Sequence, residues 1–233
     1  MGQHGQYRAL VRALLAGLFW LAAGPAAAEC RLALLLALDV SSSVDAGEYA
    51  LQREGVADAL LAPEVQAAIL GGEAGVALAA YEWSGRRQSA VVLDWVMLRD
   101  AGDIAAAAAV LRGAKRSETR FPTAMGFALG FGAGLLRRAP VCDRQVIDVS
   151  GDGVTNDGFP PRLAYKHFPF DGVVVNGLAV LGADPQVEAY YRDEVRFGPG
   201  AFVETAQGYA GYRAAMARKL FRELGGMQVG AAR

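Results

Sequence analysis

The amino-acid sequence predicts an α/β fold: a doubly wound, mostly parallel central sheet with one antiparallel edge strand and helices on both faces. Three observations carry this expectation. Apolar runs of strand length alternate with longer amphipathic stretches along the chain. The first run, Leu32-Ala33-Leu34-Leu35-Leu36-Ala37-Leu38, shows no polar alternation, as suits a central parallel strand covered on both sides. The polar clusters that end the runs fall after strands, where open α/β sheets bind their ligands.

The domain that holds these runs is expected to begin after an export signal. Of the 233 residues, 53% are hydrophobic, and part of that excess lies in the first 28. Arg8 and Arg12 precede an uncharged apolar run, residues 13–23, followed by Gly24-Pro25-Ala26-Ala27-Ala28, the pattern of a secretory signal peptide. The run is too short for a bilayer, which needs about 20 residues. Residues 1–28 are therefore expected to be removed, residues 29–228 to form a single domain and residues 229–233 a short tail. The mature protein is expected in the periplasm or outside the cell, with no transmembrane segment. Removing Arg8 and Arg12 leaves 21 basic against 24 acidic residues, a net charge near −3, which does not describe a nucleic-acid surface. In an oxidising compartment the two cysteines, Cys30 and Cys142, are expected to pair. Glu29 stands where a lipoprotein requires a small residue, which argues against a lipid anchor on Cys30.

The first strand stops at Asp39-Val40-Ser41-Ser42-Ser43, a polar cluster typical of a carboxyl-end loop. Tyr49, Val56, Ala59 and Leu60, spaced among Glu48, Gln52, Arg53 and Asp58, predict an amphipathic helix over residues 45–61. Residues 74–83 and 89–98 read as two further strands, and the short segment between them, with Ser84-Gly85, as an antiparallel connection. Residues 103–111 are an alanine-rich helix with Asp103 near its cap. After Pro122, residues 123–138 read as a helix with Gly126, Gly130 and Gly134 on one face, a sign of close approach to a neighbour. A strand over 145–150, a strand over 172–181, a short helix over 185–192, an edge strand over 201–205 and an amphipathic helix over 208–224 complete the order.

Of the two histidines, His4 leaves with the signal, and His167 has no obvious nucleophile beside it, reading as an ordinary loop or helix-end residue. Zinc sites of Cys and His are equally short of ligands. Oxygen side chains remain. Asp39, Ser41 and Ser43 leave the first strand, Thr123 opens a helix, and Asp152 leaves a later strand. Five such groups match a hard divalent cation, Mg²⁺ foremost, with Mn²⁺ or Ca²⁺ as alternatives. Asp148 reads either as an extra acid or as a sheet-buried polar group that needs partners. An EF-hand loop starting at Asp152 fails at its third position, Val154.

Asp39-x-Ser41-x-Ser43, the helix-opening Thr123 and Asp152-Gly153 together resemble the von Willebrand factor type A domain, over nearly the whole of residues 32–224. The Glu82-Trp83-Ser84, Asp94-Trp95 and Val149-Ser150-Gly151-Asp152-Gly153 patterns are similar to a set of secreted bacterial proteins of that type whose function is uncharacterised. The resemblance implies a metal-ion-dependent adhesion site. In it, Ser41 and Ser43 bind the metal directly, Thr123 directly or through water, and Asp39 and Asp152 largely through water. The chain departs from the pattern at Gly151, where many members have threonine, and at Arg120-Phe121-Pro122, where glycine is commoner.

Two carboxylates and three neutral hydroxyls balance a divalent charge, leaving the cation able to accept an acidic side chain from another protein. The expected function is thus a secreted, metal-dependent protein-binding module and not an enzyme. The alternatives are a metal-assisted hydrolase with Asp152 or Asp148 as base, and an envelope protein whose metal only stabilises its loops. Cys30 lies 9 residues before Asp39, and Cys142 lies 10 before Asp152. If both aspartates end neighbouring parallel strands, the cysteines meet at the opposite end of the sheet, within disulfide reach.

Overall fold

The uninterrupted apolar run becomes β1 (Cys30–Asp39), and its two sets of alternating side chains enter two different cores. Leu32, Leu34, Leu36 and Leu38 pack into one, Ala33, Leu35 and Ala37 into the other. Burial on both faces explains why the run shows no polar alternation, and each fully buried leucine contributes roughly 1.5–3 kcal/mol. The computed structural model describes residues 30–225, so the expected signal peptide and tail lie outside the described residues.

The sheet is completed by β2 (Gly75–Trp83), β3 (Ser89–Leu98), β4 (Gln145–Gly151), β5 (Val173–Leu181) and β6 (Val203–Gln207), in the order β3-β2-β1-β4-β5-β6. Only β3 is antiparallel, joined to β2 by the predicted hairpin. From β1 the chain first builds outward through β2 and β3, then returns to β4 on the other side. The order reverses between β1 and β4, and the crevice at their carboxyl ends is where such sheets bind ligands.

Helices α1 (Ala46–Leu60), α2 (Pro63–Leu70), α3 (Ala101–Gly113) and α7 (Tyr212–Gly225) pack on one face of the sheet. Helices α4 (Met125–Leu136), α5 (Pro161–His167) and α6 (Val187–Tyr190), the last continued by a π-helical turn Tyr191–Val195, cover the other. Asp45 starts α1 with a full capping box, its carboxylate taking the Glu48 N–H while Glu48 takes that of Asp45. Sequence reading missed α2 and α5. Both are short, and each starts at a proline that reads equally well as loop punctuation. Other boundaries shift. Asp100, not Asp103, caps α3; Thr123 sits before α4 and not inside it; β6 starts two residues later than expected, at Val203.

Cys30 and Cys142 form the expected disulfide, with Cα atoms 4.5 Å apart, at the end of the sheet opposite the β1/β4 crevice. Beside it Arg31 donates to the Ala68, Ile69, Ala74 and Leu224 carbonyls, tying the ends of α2 and α7 to the start of β2.

Candidate metal centre

Asp39 is the last residue of β1 and is fully buried. Its Oδ1 accepts the Ser41 N–H at 2.7 Å, which folds the loop back so that Ser41 and Ser43 point toward β4. Gln52 on α1 donates to the Asp39 carbonyl at 2.9 Å, and Arg116 donates to the Val40 and Ser41 carbonyls at 3.1 and 3.0 Å. The loop is therefore held from three directions before any ligand is considered.

The other predicted residues come to the same place. Ser43 Oγ donates to Asp152 Oδ1 at 2.7 Å, Ser41 Oγ and Ser43 Oγ are 3.1 Å apart, and Thr123 Oγ1 donates to Ser41 Oγ at 3.3 Å. Thr123 is fixed through its backbone, its N–H on Asn156 Oδ1 and its carbonyl accepting from Thr155 Oγ1. Asp39, Ser41, Thr123 and Asp152 are buried, while Ser43 stands exposed at the mouth.

The residues around the two carboxylates do not satisfy all of their oxygens, although the Arg116 charge also acts on Asp39. Asp39 Oδ2 and Asp152 Oδ2 are buried and have no hydrogen-bonding partner among the described residues. Burial, and then the charge of Asp152, push the Asp39 carboxyl up to about 7. Asp152 is also raised, by burial first and by Glu48 and Asp184 as well, against the Ser43 hydrogen bond. Two unsatisfied carboxylate oxygens beside three hydroxyls fit a hard divalent cation, which would take up the orphaned lone pairs and relieve the repulsion.

Some of the supporting residues were not legible in the sequence. Tyr191, in the π-helical turn, is buried with an unpartnered hydroxyl, and its ionisation is suppressed by burial and by the Asp39 charge. A Cβ on Gly151 would lie 2.6 Å from Asp39 Oδ2 and 2.8 Å from the Tyr191 hydroxyl. The tyrosine and Asp39 thus close over the position where the von Willebrand factor type A pattern often has threonine, which accounts for the glycine. Gln52, Arg116 and Asn156 gave no sequence signal because each acts through a long-range contact.

Other expectations fall away from the centre. Asp148 lies on the α7 face of the sheet, its Oδ1 2.6 Å from Lys219 Nζ, and is not available as a base at the crevice. His167 is exposed at the end of α5. Glu82, in the resemblance pattern, accepts from the Tyr49 hydroxyl and the Ser117 N–H, so it holds α1 and the loop after α3 to the end of β2.

Solved structures share this fold. A von Willebrand factor type A protein from Catenulispora acidiphila superposes with a TM-score of 0.58 at 16% identity, over 84% of this chain and 43% of that one. The PilB minor pilin from Streptococcus sanguinis gives 0.62 at 11%, over 90% and 65%. Proximal thread matrix protein 1 from the mussel byssus, in a form with a zinc-occupied MIDAS motif, gives 0.58 at 15%, over 85% and 49%. The fold is that of the von Willebrand factor type A domain, and the chain spans less than two thirds of each of these neighbours. No curated protein matches it in sequence. A family model described as a protein of unknown function, DUF1194, matches residues 29–228.

Proposed function

Since the chain belongs to the DUF1194 family, whose function is not described, we propose its role from the site: an exported, cation-dependent protein-binding module. The observation that carries this reading is the pair of buried, unpartnered carboxylate oxygens, on Asp39 and Asp152, beside the Ser41–Ser43–Thr123 hydroxyls. Ser41 and Ser43 would hold the cation directly, Thr123 directly or through water, and Asp39 and Asp152 through water. When bound, the cation supplies a positive centre with room for a carboxylate from a partner protein. Ser43 stands at the open side of the site, where such a side chain would enter. Mg²⁺ is the proposed ion; zinc occupies the corresponding motif in the mussel protein.

The neighbouring structures include a minor pilin and a byssus matrix protein, which agrees with export and a binding role. Among the described residues no helix is long and apolar enough to cross a membrane. We read residues 1–28 as a cleaved signal, residues 29–228 as the single domain and residues 229–233 as a tail; sequencing the N-terminus of the mature protein tests the first boundary. Of the two bases a hydrolytic role would draw on, Asp148 is paired with Lys219 away from the crevice and only Asp152 remains at it, with no imidazole beside it among the described residues.

Calorimetry on the mature protein with Mg²⁺, Mn²⁺ and Ca²⁺ tests the site. Wild type is expected to bind, and Asp39→Asn to lose at least about tenfold in affinity with its circular dichroism unchanged. No binding of any of the three ions by the wild type overturns the assignment. Unfolding of the variant would instead favour a purely stabilising metal. For the partner, capture from an envelope fraction must require both the cation and Asp39; capture that survives a chelator sinks the adhesion reading.

A further inference from the structure

Asp148, Asn176, Lys219 and Glu223 form a polar island in the core beneath α7, away from the metal centre. The side chains of Asp148, Lys219 and Glu223 are completely shielded from solvent. Asp148 on β4 and Asn176 on β5 are paired in register, and Lys219 and Glu223 follow each other one turn apart on α7. Lys219 donates to Glu223 Oε1 at 2.7 Å, and Asn176 Nδ2 donates to the same oxygen at 2.8 Å. Asn176 is itself held by the Phe202 N–H on its Oδ1, and the Phe202 ring lies 5.3 Å from Lys219 Nζ.

The contact between Lys219 and Asp148 is unusual for an ion pair. The nitrogen is 2.6 Å from Asp148 Oδ1, yet the angles of the contact fall outside those of an ordinary hydrogen bond. The carboxyl carbon then lies no more than about 3.8 Å from the nitrogen, since it is one carbon–oxygen bond beyond Oδ1. Reacting atoms in a near-attack arrangement are about 3–3.5 Å apart. Two carboxylates and one ammonium would also bury a net negative charge. Burial and the Glu223 charge raise the Asp148 pKa against the pull of Lys219, which favours one retained proton and a neutral island.

We propose that Lys219 and Asp148 react to form an intramolecular isopeptide bond, with Glu223 as the proton carrier. In the neutral island Asp148 is a carboxylic acid, Lys219 an ammonium and Glu223 a carboxylate. Glu223 takes a proton from Nζ, and the freed lone pair attacks Asp148 Cγ to give a tetrahedral centre. Nζ then loses a second proton, and the hydroxyl on Cγ takes up one proton and leaves as water. The products are an amide N–H between the two side chains, one water and a protonated Glu223, so atoms and charge balance with no oxidant or co-reactant. Glu223 Oε2 has no partner among the described residues and is free to carry the proton. The fixed contact supplies the effective concentration, and the dry surroundings keep water from competing for the carboxyl carbon. The bond would join the middle of β4, the strand that delivers Asp152, covalently to the C-terminal helix.

Mass spectrometry of the purified, disulfide-reduced protein tests this directly. The expected mass is one water below that of the mature sequence, and trypsin should release peptide 145–162 joined to peptide 219–222 through Asp148 and Lys219. The full, unshifted mass in folded wild type overturns the proposal and leaves an ion cluster. Glu223→Gln is expected to show the full mass while keeping Lys219 and Asp148; a cross-linked variant overturns the role of Glu223. If that variant does not fold, the wild-type mass alone decides.

Discussion

Asp39 shows how one residue couples burial, charge and ligand. Its carboxyl titrates near 7 in the folded protein against about 3.9 in an unfolded chain. Between those values the unfolded state has released a proton that the folded state keeps, so the metal-free protein loses stability as pH rises from about 4 to 7. Asp152 is shifted in the same direction. Denaturant unfolding in a chelator across this range should show the fall, up to about 4 kcal/mol from Asp39. Asp39→Asn should flatten the Asp39 share, and saturating Mg²⁺ should flatten it in the wild type, because the cation takes the place of the proton. The candidate ligand residues of the first loop were readable because Asp-x-Ser-x-Ser is a local pattern after a buried strand. Tyr191 was not, because its place beside Gly151 and Asp39 depends on a turn more than 150 residues from Asp39 in sequence.

At the scale of elements, α4 separates what spacing tells from what packing decides. Gly126, Gly130 and Gly134 share one face, and sequence reading expected all three to mark a close approach. Two do: a Cβ on Gly126 would collide with the Phe159 carbonyl and ring, and one on Gly130 would lie 2.8 Å from the Phe168 ring. A Cβ on Gly134 would meet nothing within 4 Å, and the glycine that faces the sheet is Gly132, where a Cβ would lie 2.8 Å from the Tyr81 hydroxyl. Gly126→Ala is therefore expected to destabilise by about 1–3 kcal/mol. Gly134→Ala should instead gain about 0.5–1 kcal/mol through helix propensity. Urea melts of the two variants should move in opposite directions. The short helices α2 and α5 escaped sequence reading for a related reason, since a helix of 7 or 8 residues is held by its neighbours and carries little periodic signal.

For the whole molecule, the sheet places its two chemistries at opposite ends. The crevice between β1 and β4 holds the aspartates and hydroxyls; the other end of the same two strands is clamped by Cys30–Cys142. The bridge spans a sequence separation of 112 residues, and in the chain-entropy model such a loop is worth about 4–5 kcal/mol. Replacing both cysteines by serine should lower unfolding stability by roughly 2–5 kcal/mol while leaving cation affinity within about twofold, because the bridge lies far from the site. Chemical denaturation paired with calorimetry on the double variant checks both halves of that statement.

The sequence by itself determined the class of fold, the antiparallel edge, the cysteine pair and the five oxygen groups that gather at one crevice. Each of these rests on short-range patterns, a run without alternation, a loop after a strand, an even count of cysteines. Tertiary structure alone decided the rest: that Gly151 makes way for Asp39 and Tyr191, that Arg116 and Gln52 hold the loop, and that Lys219 is buried against Asp148 and Glu223. A lysine on an amphipathic C-terminal helix reads as solvent-facing until the sheet beneath it is known to carry a carboxylate. Burial of charge is a property of the surroundings on all sides, and those surroundings come from parts of the chain that no local pattern connects.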